Sequence, residues 1–196
     1  MPPSGKRNFY LVGMPGAGKS TIGKALARQL GLAFVDADHE IFEQTGVSIA
    51  TIFELEGEAG FRLRETQLIN ELCQREGILL ATGGGTILRA ENREALRRTG
   101  LVVYLCASLD HLWQRTRHDS RRPLLQADNP REVLKLLLNT RDSLYRATAD
   151  LTVDTGRQSV RKLVLEITDE LTRRHLWPPD PAWVEPTTTP GSPISA

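Results

Sequence analysis

The sequence has few of the features that mark several large classes of protein. Its two cysteines among 196 residues, Cys73 and Cys106, lack metal-ligand spacing, so we expect buried free thiols in a reducing compartment, not a disulfide scaffold or a zinc site. A formal net charge of +1 excludes a general field that would attract nucleic acid or an anionic membrane. No apolar run approaches membrane-spanning length and no signal peptide fits residues 1–7, so a cytoplasmic protein is expected.

The composition that is present is typical of a globular domain. Hydrophobic residues make up 40% and charged residues 25% of the chain, enough for one domain with a substantial core. We expect that domain to span residues 1–176. Residues 177–196 are rich in Pro, Thr and Ser without periodicity, which is typical of a disordered tail.

The motif around which the chain is organised is a phosphate-binding loop at residues 13–21. The sequence GMPGAGKST matches G-x-x-x-x-G-K-[ST], with an apolar strand pattern before it and a helical pattern after it. Backbone N–H groups of such a loop, with a helix N-terminus, bind phosphate oxygens. Lys19 can reach the β- and γ-phosphates, and the Ser20 hydroxyl can bind Mg²⁺. The residues expected to contact ATP here are Gly16, Ala17, Gly18, Lys19, Ser20 and Thr21. The alternative, a glycine-rich turn that binds nothing, is disfavoured because both flanks fit.

Strand and helix patterns alternate along the chain. Short apolar runs near residues 9–12, 33–35, 78–81, 101–105 and 151–153 predict five strands, separated by amphipathic helices. This alternation predicts a parallel sheet covered by helices on both faces, with ligands at the carboxyl ends of the strands. The phosphate-binding loop, the Asp36/Asp38 pair and Gly83-Gly84-Gly85 follow the first three strands, so we expect them on one rim.

Six motifs, taken in order, resemble the shikimate kinase family over residues 8–171. They are the phosphate-binding loop, Asp36-x-Asp38, Gly60-Phe61-Arg62, Gly83-Gly84-Gly85, Arg122-Pro123-Leu124-Leu125 and Arg141-x-x-Leu144-Tyr145. The resemblance implies a P-loop NTPase fold of the nucleoside-monophosphate-kinase type with a five-stranded parallel sheet. It implies transfer of the γ-phosphate of ATP to the 3-hydroxyl of shikimate, in aromatic amino-acid biosynthesis. Mg²⁺ would be the cofactor, and ATP and shikimate the partners. We also expect no nucleic-acid or membrane partner, and a monomer.

The resemblance implies different roles for the two aspartates. Asp36 would act with Ser20 at the Mg²⁺ ion, while Asp38 would face the acceptor hydroxyls, orienting the nucleophile or accepting its proton. The alternative is that Asp38 merely caps the next helix, as aspartate often does. Whether Asp38 is a true base stays open, because phosphoryl transfer depends mainly on positioning and charge.

The substrate carboxylate would be held by two arginines. Arg62 and Arg141 match the positions of the family's carboxylate-binding arginines, and guanidinium groups bind carboxylates bidentately. Gly83, Gly84 and Gly85 would lie against shikimate, with Gly84 in contact. The alternatives are ordinary surface arginines and a flexible glycine turn. The chain departs from the family at Ser143, where proline is usual, which suggests a local change in backbone stiffness.

Further nucleotide contacts would come from the second half of the chain. Residues 118–128 resemble a lid, whose Arg122 would reach the ATP phosphates as a catalytic residue together with Lys19 and Asp38. Arg115 and Gln158 match adenine-side and nucleotide-contacting positions, although Gln158 could equally be a polar residue at a helix start. The four histidines (His39, His111, His118 and His175) fall in no catalytic or metal-binding arrangement.

Two other functions compete with this interpretation. A gluconate or adenylate kinase of the same fold would need a different acceptor pocket from one with two arginines and a triple glycine. A P-loop ATPase switch commonly places a water-activating Glu or Gln beside the third strand. That strand is followed here by Thr82 and Gly83, with no acid adjacent.

Overall fold

The computed structural model describes residues 8–118, 127–156 and 158–176, and its strands form one parallel sheet. The strands are β1 (Asn8–Val12), β2 (Ala33–Asp36), β3 (Ile78–Ala81), β4 (Gly100–Cys106) and β5 (Leu151–Asp154). Their order is β2-β3-β1-β4-β5, and all four neighbouring pairs are parallel. The predicted five-stranded parallel sheet is therefore confirmed.

Seven helices surround this sheet in the described part of the chain. They are α1 (Lys19–Leu30), α2 (Ala37–Thr45), α3 (Ile49–Leu72), α4 (Ala90–Thr99), α5 (Leu109–Thr116), α6 (Pro130–Thr148) and α7 (Val160–Arg173), and a 3-10 turn spans Thr86–Leu88. No helix among the described residues is long and apolar enough to cross a bilayer. Cys73 and Cys106 are both free thiols, but only Cys73 is buried as expected, because Cys106 is partly exposed.

Helix α1 packs unusually close to one face of the sheet. A Cβ atom at Gly23 would lie 2.7 Å from Phe34 Cε2 and 3.1 Å from Leu11 Cδ1. Glycine at this position therefore brings the helix into direct contact with the strands. This packing fixes the N-terminus of α1, and with it the phosphate-binding loop, above the end of β1.

Helices α4 and α6 cover the opposite face of the sheet, and tyrosine side chains contact both helices there. Tyr104 of β4 stacks on Tyr145 of α6 with ring centroids 4.8 Å apart. The Tyr10 hydroxyl of β1 lies 2.8 Å from Thr99 Oγ1 of α4. Helices thus lie on both faces, as the alternating pattern predicts, and Tyr145 anchors α6 beside the rim where the site lies.

Helix α3 contains a single kink. Two glycines in its sequence, Gly57 and Gly60, could each interrupt a helix, but only Gly57 leaves helical geometry, with φ 69° and ψ −179°. Gly60 is helical, because glycine costs a helix only about 1 kcal/mol and neighbouring packing can outweigh that. Arg64 bridges the kink with two hydrogen bonds to Glu56, at 2.8 and 2.7 Å.

Two other predictions concern the second half of the chain. Helix α6 runs without a break through Ser143, so a serine in place of the family's usual proline leaves a continuous helix with its N–H groups intact. Most of the predicted lid, including Arg122, and the predicted tail at residues 177–196 lie outside the described residues. The proposed domain limits therefore stay predictions.

Candidate active site

The phosphate-binding loop ends at the N-terminus of α1. Gly16 and Gly18 have φ of 83° and 94°, a left-handed conformation that favours glycine. Gly18 is the N-cap of α1 and supplies no side-chain cap, so backbone N–H groups of the first turn remain available to an anion. Lys19 Nζ folds back over the loop, donating to the carbonyls of Gly13 at 2.8 Å and Met14 at 3.0 Å.

Ala17 is placed differently from the other loop residues expected to contact ATP. Its side chain is fully buried, and its N–H donates to the Met14 carbonyl at 3.1 Å. Ala17 therefore closes the turn of the loop from within.

Asp36 links this loop to the second strand. Ser20 Oγ donates to Asp36 Oδ2 at 2.5 Å, while Asp36 Oδ1 accepts from the Asp38 N–H at 3.1 Å and caps α2. The alternative that Asp38 caps this helix is therefore wrong, because Asp36 does so and leaves the Asp38 side chain in the first turn. A hydroxyl beside a carboxylate suits Mg²⁺, which commonly binds one or two carboxylates together with substrate phosphates and water. The described residues contain no cluster of three or more His, Cys, Asp or Glu that could hold a metal ion alone.

The outer residues of the triple glycine are in close contact with charged side chains. A Cβ at Gly83 would lie 2.8 Å from Glu65 Oε1 and 3.3 Å from Asp38 Oδ1. A Cβ at Gly85 would lie within 2.3 Å of the guanidinium carbon of Arg62. Neither glycine belongs to a merely flexible turn: any side chain there would collide with these groups.

Arg62 lies in a buried ionic network. It is 8% exposed, and its Nη1 donates to Oε2 of the buried Glu65 at 2.7 Å. The second oxygen of Glu65 accepts from Thr86 Oγ1 at 2.7 Å. Burial lowers the pKa of Arg62, but the negative charges of Glu65 and Glu58 outweigh that effect and raise it above its ordinary value. Arg62 is therefore permanently charged and held in one orientation.

Arg141 reaches the same loop from α6. It is 4% exposed, and its Nη1 donates to the Gly84 carbonyl at 3.2 Å. The Tyr145 hydroxyl donates to the same carbonyl at 2.5 Å. Burial raises the pKa of Tyr145 above its ordinary value, and the nearby positive charges of Arg141 and Arg62 oppose that rise. Neither arginine is a solvated surface residue, and the glycine loop brings the two together.

One cavity brings residues of the phosphate-binding loop together with Asp38 and Gly84. Its volume is about 330 Å³, and its lining residues are Gly16, Gly18, Lys19, Ser20, Thr21, Asp36, Asp38, Thr82, Gly84 and Arg115. Gly84 lies at the boundary, where a Cβ would come within 2.8 Å of Pro15 Cδ in the phosphate-binding loop. Arg62, Gly83, Gly85 and Arg141 do not line this cavity but support its Gly84 wall.

A second cavity of about 730 Å³ lies on the other side of Arg115. Its lining residues are Ser108, Asp110, His111, Trp113, Gln114, Arg115, Gly156 and Gln158. Arg115 donates to the carbonyls of Gly16 at 3.2 Å and Thr155 at 3.0 Å, so it ties the phosphate-binding loop to the loop after β5. Within the described residues, the buried Gln158 Oε1 has no hydrogen-bond partner. Both residues line this second cavity, and Arg115 also lines the first.

Sequence reasoning missed several side chains of the site. Glu65, Glu58 and Thr86 complete the network around Arg62, and His111 lines the second cavity. The spacing of Arg62 and Glu65, three residues apart on one helix, was a signal for their pairing. Glu58 lies four residues before Arg62, which is the same kind of signal, whereas Thr86 and His111 had none, because their contacts join distant segments.

Comparisons of both sequence and structure match this chain to one family of known proteins. The family model described as shikimate kinase matches residues 15–172. A shikimate kinase of Burkholderia lata is 56% identical over 157 residues, covering 80% of this chain and 85% of the relative. The solved structure of a shikimate kinase from Acinetobacter baumannii, in complex with shikimate, has a TM-score of 0.85 at 48% identity, covering 88% of this chain and 96% of that one.

A gluconokinase from Sinorhizobium meliloti is a more distant structural neighbour. Its TM-score is 0.54 at 19% identity, covering 86% of this chain and 93% of that one, so it shares the fold alone. The predicted P-loop fold of the nucleoside-monophosphate-kinase type is confirmed by the shikimate kinase structures. The match across residues 15–172 and the 56% identity to a curated relative mean that this chain belongs to the shikimate kinase family, whose enzymes are ATP-dependent kinases.

Proposed function

We propose that this chain transfers the γ-phosphate of ATP to the 3-hydroxyl of shikimate, with the residues of the cavity described above as its active site. The observation that carries the proposal is the cavity itself. It places Lys19 and Ser20, which suit phosphates, in the same space as Asp38 and Gly84, which suit a polyhydroxylated acceptor. A reaction between two bound substrates needs this proximity, because holding both in line removes much of the entropic barrier.

The triphosphate would bind along the first turn of α1. Lys19 would exchange the carbonyls of Gly13 and Met14, its partners in this structure, for oxygens of the β- and γ-phosphates. Its charge would then stabilise the transferring group. The adenine side would lie in the second cavity beside Arg115 and Gln158. Arg122 would add a cation from outside the described residues.

Ser20 and Asp36 would hold Mg²⁺ together with phosphate oxygens. The bound ion would neutralise charge on the β- and γ-phosphates. Asp36 also caps α2, so the backbone fixes where its carboxylate lies.

The acceptor would bind against the glycine loop, reaching from the Gly84 end of the cavity to the two arginines that border this loop outside the cavity. Arg62 and Arg141 would hold its carboxylate, each with a planar, always charged guanidinium group. Asp38, in the first turn of α2, would accept a hydrogen bond from the attacking hydroxyl and so orient its oxygen towards the γ-phosphorus. The bond from phosphorus to the β–γ bridging oxygen would break as the new ester bond forms, ADP would leave, and the hydroxyl proton would pass to Asp38 or to solvent.

The experiment is a coupled ADP-release assay with MgATP and four separate acceptors: shikimate, quinate, gluconate and AMP. We expect turnover with shikimate far above that without an acceptor, and little with gluconate or AMP. A rate with shikimate equal to the acceptor-free rate would overturn the proposal. A monomeric state, a cytoplasmic location and the absence of nucleic-acid partners remain predictions from the sequence.

A further inference from the structure

The guanidinium of Arg62 already binds a second carboxylate, that of Glu58. Arg62 Nε and Nη2 both donate to Glu58 Oε1, at 3.2 and 3.0 Å. These two N–H groups form one edge of the guanidinium, the kind of edge on which a carboxylate binds bidentately. A ligand carboxylate that approaches this edge therefore meets an occupied position.

The two glutamates that bind Arg62 differ in how firmly they are held. The Glu65 side chain is 2% exposed and is fixed at its other oxygen by Thr86. The Glu58 side chain is 49% exposed, so water can solvate its carboxylate once it leaves Arg62. Glu65 thus belongs to the permanent site, whereas Glu58 can be displaced without burying an unpaired charge.

We propose that Glu58 is an internal competitor for the substrate carboxylate: it occupies Arg62 in the free enzyme and is displaced when shikimate binds. The inference rests on the proposed function, since it takes Arg62 to bind that carboxylate.

The position of Glu58 in α3 lowers the free-energy cost of breaking its contact with Arg62. It directly follows the kink at Gly57 and so begins the second half of the helix, residues 58–72. A negative charge near a helix N-terminus is stabilised by the helix dipole, and that interaction persists after the contact with Arg62 is broken. Ion pairs with one well-solvated partner are also weak.

This arrangement affects acceptors with and without a carboxylate differently. An acceptor without a carboxylate at this position cannot replace Glu58, so Arg62 stays satisfied and offers it no binding energy. An acceptor with the carboxylate must displace Glu58, and so it gains less from Arg62 than it would from an unoccupied guanidinium. Glu58 therefore lowers the affinity for a carboxylate-bearing acceptor and leaves the affinity for a neutral one unchanged.

The test is calorimetric titration of shikimate into the wild-type chain and into Glu58→Gln. Removing the competing charge should lower the Kd for shikimate by roughly two- to fivefold, as expected for the loss of a half-exposed pair. Glu54→Gln is the matched control, because Glu54 is an exposed glutamate of the same helix, and its Kd should equal that of the wild type. Thermal unfolding should show that both variants are folded.

A neutral analogue completes the design. When the carboxylate of shikimate is replaced by a hydroxymethyl group, Glu58→Gln should bring no gain in affinity, because no carboxylate competes for Arg62. An unchanged or higher Kd for shikimate in Glu58→Gln would overturn the inference, as would an equal gain for the neutral analogue. If the wild-type chain does not bind shikimate at all, the proposed function fails first, and the competitor role with it.

Discussion

Arg62 Nη1 and Glu65 Oε2 lie 2.7 Å apart, with both side chains buried. Two opposite charges withdrawn from water require each other, because either one alone would bear an uncompensated desolvation cost. The pair therefore does more than neutralise a charge. It fixes the guanidinium against Gly85, in the orientation that the proposed acceptor site needs.

Glu65→Gln should destabilise the chain and weaken shikimate binding together. Losing one member of a buried pair costs about 3 kcal/mol or more in free energy of unfolding, measurable by urea denaturation. Glu71→Gln is the control, since Glu71 is an exposed glutamate of the same helix and should change stability by less than about 0.5 kcal/mol. Equal stability of the two variants would show that the buried pair contributes nothing specific.

Gly85→Ala should impair the acceptor site while sparing the nucleotide site. The added Cβ would lie within 2.3 Å of the Arg62 guanidinium carbon, so either the arginine or the loop must move. We expect the KM for shikimate to rise at least tenfold, while the Kd of a non-hydrolysable ATP analogue stays unchanged. A variant with wild-type KM would contradict the close packing of this loop.

Asp36→Asn should separate the two roles of Asp36. Asparagine caps a helix about as well as aspartate, so thermal stability should be nearly retained, but its neutral amide is a poorer Mg²⁺ ligand. Activity should then require a higher Mg²⁺ concentration, and Ser20→Ala should act in the same direction. Unchanged Mg²⁺ dependence in both variants would place the metal elsewhere.

Lys19→Ala should reduce kcat by about 10²–10³-fold, the usual loss when one preorganised electrostatic group is removed from a reacting oxyanion. Its Nζ hydrogen bonds in this structure are to the carbonyls of Gly13 and Met14, so a small change in stability is also expected. Single-turnover rates and thermal unfolding measure the two effects separately. A kcat near that of the wild type would mean that Lys19 does not reach the phosphates.

Arg62 and Arg141 should be energetically coupled in shikimate binding. Each reaches the same glycine loop, so each single Arg→Met variant should lose about 2–5 kcal/mol of binding energy, and the double variant less than their sum. Titrations on the four proteins of this cycle give the coupling energy. Strict additivity would show that the two guanidinium groups act at separate places.

The sheet could be predicted from the sequence because its central strands are buried on both faces. Strands β1 and β3 are short apolar runs whose residues are all buried, a pattern that excludes an exposed face. The kink in α3 could be placed only approximately. Gly57 and Gly60 look alike in sequence, and tertiary packing alone decides which of them leaves helical geometry.

The candidate site could be predicted from the sequence where its residues belong to short local motifs. The phosphate-binding loop and Asp36 follow strands whose ends can be read from the sequence. The spacing of Glu58 and Glu65 signals a pairing with Arg62, but the burial of Glu65 could not be predicted, because a glutamate on a helix is normally solvated. Its burial depends on the glycine loop, which is distant in sequence. The cap of α2 could not be assigned for a related reason, since two aspartates two residues apart fit a cap equally well until the backbone is known.

The most direct test of the account identifies the product. The chain is incubated with MgATP and one equivalent of shikimate, and the phosphorylated product is followed by phosphorus NMR. The account predicts one equivalent of ADP and one phosphate monoester whose phosphorus couples to the proton on carbon 3 of shikimate. Release of inorganic phosphate alone, or coupling to a proton on another carbon, would contradict it.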